Sequence, residues 1–151
     1  MSLFYSYKPI GMGRPLPSLL GRSNRPRPLV SICIIGPTGR WVGPALLDTG
    51  ADDTVFPESV ATSIGIDLTT APVGSGSGVA GAPASLRYAV VALRLAAGRE
   101  RREWKAWVGF TAAPLHYALL GFAGCLQFFD ANFRGSHEEV ELTVNANYSG
   151  T

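Results

Sequence analysis

The segment Ala45-Leu46-Leu47-Asp48-Thr49-Gly50-Ala51-Asp52-Asp53-Thr54-Val55 concentrates the chemically capable side chains of this chain. Apolar residues lead into an acid, a small hydroxyl residue and a glycine, the order expected where a strand ends and presents a carboxylate at a tight loop. Thr49 can donate its hydroxyl to nearby backbone, and Gly50 lets the chain pass close to another chain or a ligand. An Asp beside a Gly most often only begins a turn. For Asp48 to do more it needs a partner, because amide hydrolysis by water requires a base to activate the water and an acid to protonate the carbonyl oxygen. Two carboxyls held close share one proton and fill both roles as a pair.

Other constellations are weaker. Gly76-Ser77-Gly78-Val79-Ala80-Gly81 matches G-x-G-x-x-G in form, but no strong strand precedes it and Pro83 spoils a following helix, so a dinucleotide fold is not indicated. The acids Asp48, Asp52 and Asp53 lack the further ligands and terminal Glu of a calcium loop. Cys33 and Cys125 have no His or Cys at metal-ligand spacing and read as buried free thiols, and His116 and His137 read as surface residues. No cofactor or metal is expected.

The elements that must position Asp48 follow from local pattern. Leu29–Ile35, the turn Gly36-Pro37-Thr38-Gly39 and Arg40–Leu47 read as a hairpin whose second strand ends at Asp48. Pro57 opens and Gly65 closes one brief helix. Residues 72–83 contain nothing larger than Val and read as a mobile loop or hairpin tip. LRYAVVALRL and EWKAWVGF form a second hairpin around a polar turn. Phe122, Leu126, Phe129 and Phe133 fall at helical spacing, with Gly135 at the C-cap position, and predict a helix near the C-terminus followed by the strand VELTV.

The 151 residues suit one domain, with an arm over residues 1–26 and the folded unit over 27–151. Eighteen Gly and eleven Pro favour many short strands, hence an all-β fold. A net charge of +2 gives no basis for binding nucleic acid or an anionic membrane. No apolar run reaches signal-peptide or membrane-span length, which makes the cytoplasm the expected location.

Leu46-Leu47-Asp48-Thr49-Gly50-Ala51-Asp52-Asp53-Thr54-Val55 closely resembles the active-site motif of retroviral aspartic peptidases. Arg27-Pro28-Leu29-Val30-Ser31-Ile32 resembles their opening strand, the Gly-rich segment falls where they carry a flap, and Leu119-Leu120-Gly121 is similar to their hydrophobic-hydrophobic-Gly element. The resemblance covers Arg27 to Phe133, in order. The C-terminal layout is closer to cellular and bacterial members of this retropepsin-like family. The resemblance implies a closed barrel of short strands with one C-terminal helix, a peptide or protein substrate, and a homodimer: the chain has no second Asp-Thr-Gly or Asp-Ser-Gly, since Asp67 precedes Leu68 and Asp130 precedes Ala131, so the second acid of the family's pair would be Asp48 of another chain on a two-fold axis. It assigns catalysis to Asp48, Thr49 and Gly50, and substrate contacts to Ala51, Asp52, Asp53, Gly78, Val79 and Ala80. One position departs: the viral enzymes carry Arg after the Gly, paired with the second Asp of their motif, where this chain has Phe122. Asp52 then needs another cation, and Arg27 of the second subunit is the first choice, Arg134 the next. Phe122 equally suits a dimeric binding module that keeps the fold without turnover.

Overall fold

In the computed structural model, residues 1–77 and 83–151 are described, the side chains of Ser77 and Pro83 excepted. The strands in chain order are β1 (Leu3–Ser6), β2 (Lys8–Gly11), β3 (Asn24–Arg27), β4 (Leu29–Ile35), β5 (Arg40–Leu47), β6 (Val55–Pro57), β7 (Val73–Ser77), β8 (Pro83–Ala97), β9 (Glu100–Thr111), β10 (Ala118–Leu120), β11 (Phe129–Arg134) and β12 (Glu139–Val144). One short helix, α1 (Glu58–Ser63), follows β6. Pro57 stands before its first turn and Gly65, with φ of +81°, follows its end, as their types predict.

Six strands close a barrel in the order β4-β5-β10-β6-β9-β8, and the ring shuts where β8 returns to pair with β4. The two hairpins visible in the sequence, β4–β5 and β8–β9, pair antiparallel, the second from Arg87 to Ala97 of β8. The short strands β10 and β6 join them, β10 running parallel to β5 and β6 parallel to β9. Closure leaves no open edge in the ring, so its inward side chains form one core. Ile32, Ile34, Phe56, Leu93, Leu95, Phe110 and Leu120 are wholly buried there. Side-chain burial of this kind contributes roughly 1.5–3 kcal/mol per large residue, which makes the barrel the rigid support for whatever its loops carry. β7 is added outside the ring as a hairpin partner of β8.

A three-stranded antiparallel sheet, β1-β12-β11, packs beside the barrel. Residues 1–26 supply β1, β2 and most of β3. Leu3 is 1% exposed in the common core, and β2 pairs with β3 as a small separate hairpin.

The expected C-terminal helix does not form. Leu126–Phe128 make a single 3-10 turn, and Phe129–Arg134 are the strand β11, paired with β12. The physical reason lies in a second periodicity that overlaps the helical one. Phe129, Ala131 and Phe133 alternate with Asp130, Asn132 and Arg134, and that pattern fits a strand bordering VELTV. Gly124, with φ of +92°, breaks the helical path upstream, and its amide is taken by the Gln127 side chain at 2.8 Å. Arg134 lies between Glu139 and Glu141 and over the Phe4 ring. Cys33 and Cys125 are buried free thiols, and His116 and His137 are exposed. No helix among the described residues is long and apolar enough to cross a membrane.

Candidate active site

β5 ends at Leu47, and the chain turns out of the barrel at Asp48. The turn is defined by the carboxylate itself: Gly50 N donates to Asp48 Oδ1 at 2.9 Å, and Ala51 N donates to the Asp48 carbonyl at 3.2 Å. This is an Asx turn, in which the side chain fixes its own loop. Asp48 is half-buried, whereas Thr49, Gly50 and Asp52 are exposed.

Leu119-Leu120-Gly121 with its neighbours packs against this loop and holds it by four backbone hydrogen bonds. Asp48 N donates to Leu120 O at 3.1 Å, Phe122 N to Ala51 O at 2.9 Å, Ala123 N to Asp52 O at 2.8 Å, and Thr54 N to Ala123 O at 2.9 Å. Gly121 has to be glycine: a Cβ there would stand 2.3 Å from Asp53 O and 2.6 Å from Ala51 O. The hydrophobic-hydrophobic-Gly element is thus a clamp that sets the height of the loop above the barrel.

Ala51 and Asp53 are half-buried beside it, and Asp53 Oδ2 accepts from the Tyr88 hydroxyl at 3.0 Å. Nothing in the sequence pointed to Tyr88, because the contact joins residues far apart in the chain. Gly78, Val79 and Ala80 lie outside the described residues, between β7 and β8. Leu47 and Val55, flanking the loop, are 3% and 8% exposed and offer no open wall. Among the described residues no ion pair involves Asp48, Asp52 or Asp53. Arg134 is engaged by its own glutamates, while Arg27 Nε is buried with no hydrogen-bond partner among the described residues. Phe122 is 64% exposed beside the loop. No group of three or more His, Cys, Asp or Glu side chains among the described residues converges as metal ligands.

Thr54 is fully buried, and its hydroxyl has no partner among the described residues. An unpaired buried hydroxyl costs about 1–3 kcal/mol, and an apolar group of the same shape avoids that cost. Thr54→Val is expected to raise Tm by roughly 2–4 °C, the shift that ~1 kcal/mol produces in a chain of this size. Scanning calorimetry checks it, and a lowered Tm would mean that the hydroxyl is bonded in the assembled protein.

A closed six-stranded barrel that clamps an Asp-Thr-Gly loop against a hydrophobic-hydrophobic-Gly element has the architecture of an aspartic-peptidase domain. The family model described as aspartyl protease matches residues 34–123, well over half of the chain, and the chain belongs to this family as a retropepsin-like member. No curated protein matches the chain.

Proposed function

We propose that the chain is one half of a homodimeric aspartic endopeptidase in which Asp48 and Asp48 of a second copy form the catalytic pair. The observation that carries this reading is the single Asp48 carboxylate, turned out of a rigid barrel by its own Asx turn, in a family whose chemistry needs two such groups. One carboxylate takes a proton from water as it attacks the scissile carbonyl carbon, and the other protonates the carbonyl oxygen. The tetrahedral intermediate then breaks its C–N bond, with a proton passing to the leaving nitrogen and the other product released as a carboxylic acid. Gly50 orients Asp48 through its amide, and Thr49, exposed at the turn, is placed to meet the second copy. Substrate lies extended over Ala51, Asp52 and Asp53, is contacted also by Gly78, Val79 and Ala80, and hydrogen-bonds like an added strand.

Charge supports the pairing of two copies. Lys8 and Arg27 face each other across β2–β3 and Arg25 lies on the same strand, with no ion pair to any of them among the described residues. The loop of Asp48, Asp52 and Asp53 likewise pairs with no cation among the described residues. In an isologous dimer each basic hairpin can meet the acidic loop of the other chain, with Arg27 opposite Asp52.

The test is cleavage of a denatured protein mixture by the purified chain across acid to neutral pH, over a range of chain concentrations. Activity per chain is expected to fall on dilution through the dimer dissociation constant, because monomers contribute nothing. Activity strictly proportional to concentration, with a monomer seen by scattering, would exclude the shared pair. The exposed Phe122 favours the second reading, a dimeric binding module, and a stable dimer that cleaves nothing at any pH would establish that reading instead.

A further inference from the structure

Tyr88 stands where the hairpin outside the barrel meets the Asp48 loop. Its amide donates to Pro72 O at 2.9 Å, at the foot of β7. Its ring lies so close to Gly74 that a Cβ on Gly74 would come within 2.6 Å of ring atom Cε2 and 3.0 Å of the hydroxyl oxygen. Its hydroxyl donates to Asp53 Oδ2 at 3.0 Å. One half-buried side chain therefore touches both the rising strand of the hairpin and the loop that carries the candidate nucleophile-activating acid. Burial first, and then the Asp53 carboxylate, push the Tyr88 phenol up to about 12, so it remains a donor at any pH at which a peptidase would work.

We propose that Tyr88 is a positioning residue: it locks the Asp53 carboxylate and the foot of the β7–β8 hairpin into one unit, and so sets the spacing at which hairpin and loop receive an extended peptide. This rests on the peptidase reading above. A hydrogen bond to a carboxylate is directional and stronger than one between neutral groups. With Oδ2 held by Tyr88, Asp53 Oδ1 keeps a fixed direction in which to accept a peptide N–H. The Gly74 contact carries the same constraint into β7, because the ring cannot shift toward Gly74 without a clash. Tyr88 makes no hydrogen bond to Asp48, so its contribution falls on substrate capture and not on the proton transfers. Organising the two walls in advance lowers the cost of binding an extended chain between them.

Tyr88→Phe keeps the ring against Gly74 and removes only the hydroxyl. Relative to the wild-type protein, KM for a peptide substrate is expected to rise about tenfold, the worth of one hydrogen bond to a charged group, while kcat changes by less than about threefold. In an Asp53→Ala background the same substitution should leave KM unchanged, because Tyr88 acts through Asp53. Hydrogen exchange on the same proteins should show lowered protection both at the amides of residues 51–54 and in β7. An unchanged KM, an effect confined to kcat, or a KM rise that persists in the Asp53→Ala background overturns the role. If the wild-type protein cleaves nothing, the peptidase reading fails, and exchange then decides the coupling by itself. Lowered protection in both segments of Tyr88→Phe supports it, and a change in one or neither overturns it.

Discussion

Asp48→Asn is expected to abolish peptide hydrolysis, with kcat reduced at least about 10⁴-fold, while the fold and any dimer persist. A single general acid or base contributes typically 10²–10⁴-fold. In a symmetric pair the substitution removes both groups at once, since each chain carries the same change. The structural cost should be small because Asn keeps an acceptor oxygen where Asp48 Oδ1 receives the Gly50 amide. The other ties of the loop, from Asp48 N to Leu120 O and from Ala51 N to Asp48 O, are backbone bonds that the side chain does not alter. Tm should therefore stay within about 2 °C of the wild type, and the scattering mass should be unchanged. Residual cleavage near the wild-type rate would remove Asp48 from the chemistry, and a large fall in Tm would assign it a structural role instead.

The loop itself was legible in the sequence because its information is local. An apolar strand running into Asp48-Thr49-Gly50, Pro57 before a short helix and two hairpins around polar turns all rest on neighbours in the chain, and each stands where its residue types place it. Barrel closure was visible only through the family resemblance, because the β4–β8 pairing joins Ile32 to Leu95 and leaves no trace in the periodicity of either strand. The C-terminal error has a specific source. Phe122, Leu126, Phe129 and Phe133 satisfy a helical period, while residues 129–134 also satisfy a period of two, and only the presence of β12 as a partner decides between them. β1 reaching β12 is the same kind of long-range fact. At the site, Asp53 was legible as a candidate, but Tyr88 was not, since the bond between them depends on how β8 passes the loop.

The absence of the family arginine after Gly121 changes how the loop is held. In this chain the clamp is made of backbone: two amides and two carbonyls of residues 120–123 bond to the loop, and Phe122 points its ring outward at 64% exposure. Four hydrogen bonds of ~1 kcal/mol each can fix a loop without an ion pair, provided that the two segments remain in close contact. That contact depends on one residue having no side chain.

Gly121→Ala is therefore expected to damage stability and activity together. The added Cβ would meet Asp53 O at 2.3 Å and Ala51 O at 2.6 Å, and both are backbone atoms that no rotamer change can move aside. Either the loop rises or residues 120–123 retreat, and both movements stretch the bonds that position Asp48. Overpacking of this kind costs about 1–3 kcal/mol, which corresponds to a Tm lowered by roughly 2–12 °C in a chain of this size. The effect on turnover should be larger than that stability loss implies, since a displacement of ~1 Å at a reacting group can cost about 10²-fold in rate. Gly135→Ala is the matched control: a Cβ there meets nothing within 4 Å, so both Tm and activity should be unchanged. If Gly121→Ala melts with the wild type and retains full turnover, the loop is not held by this clamp. If it melts early but keeps its rate per folded dimer, the clamp serves the fold and does not position Asp48.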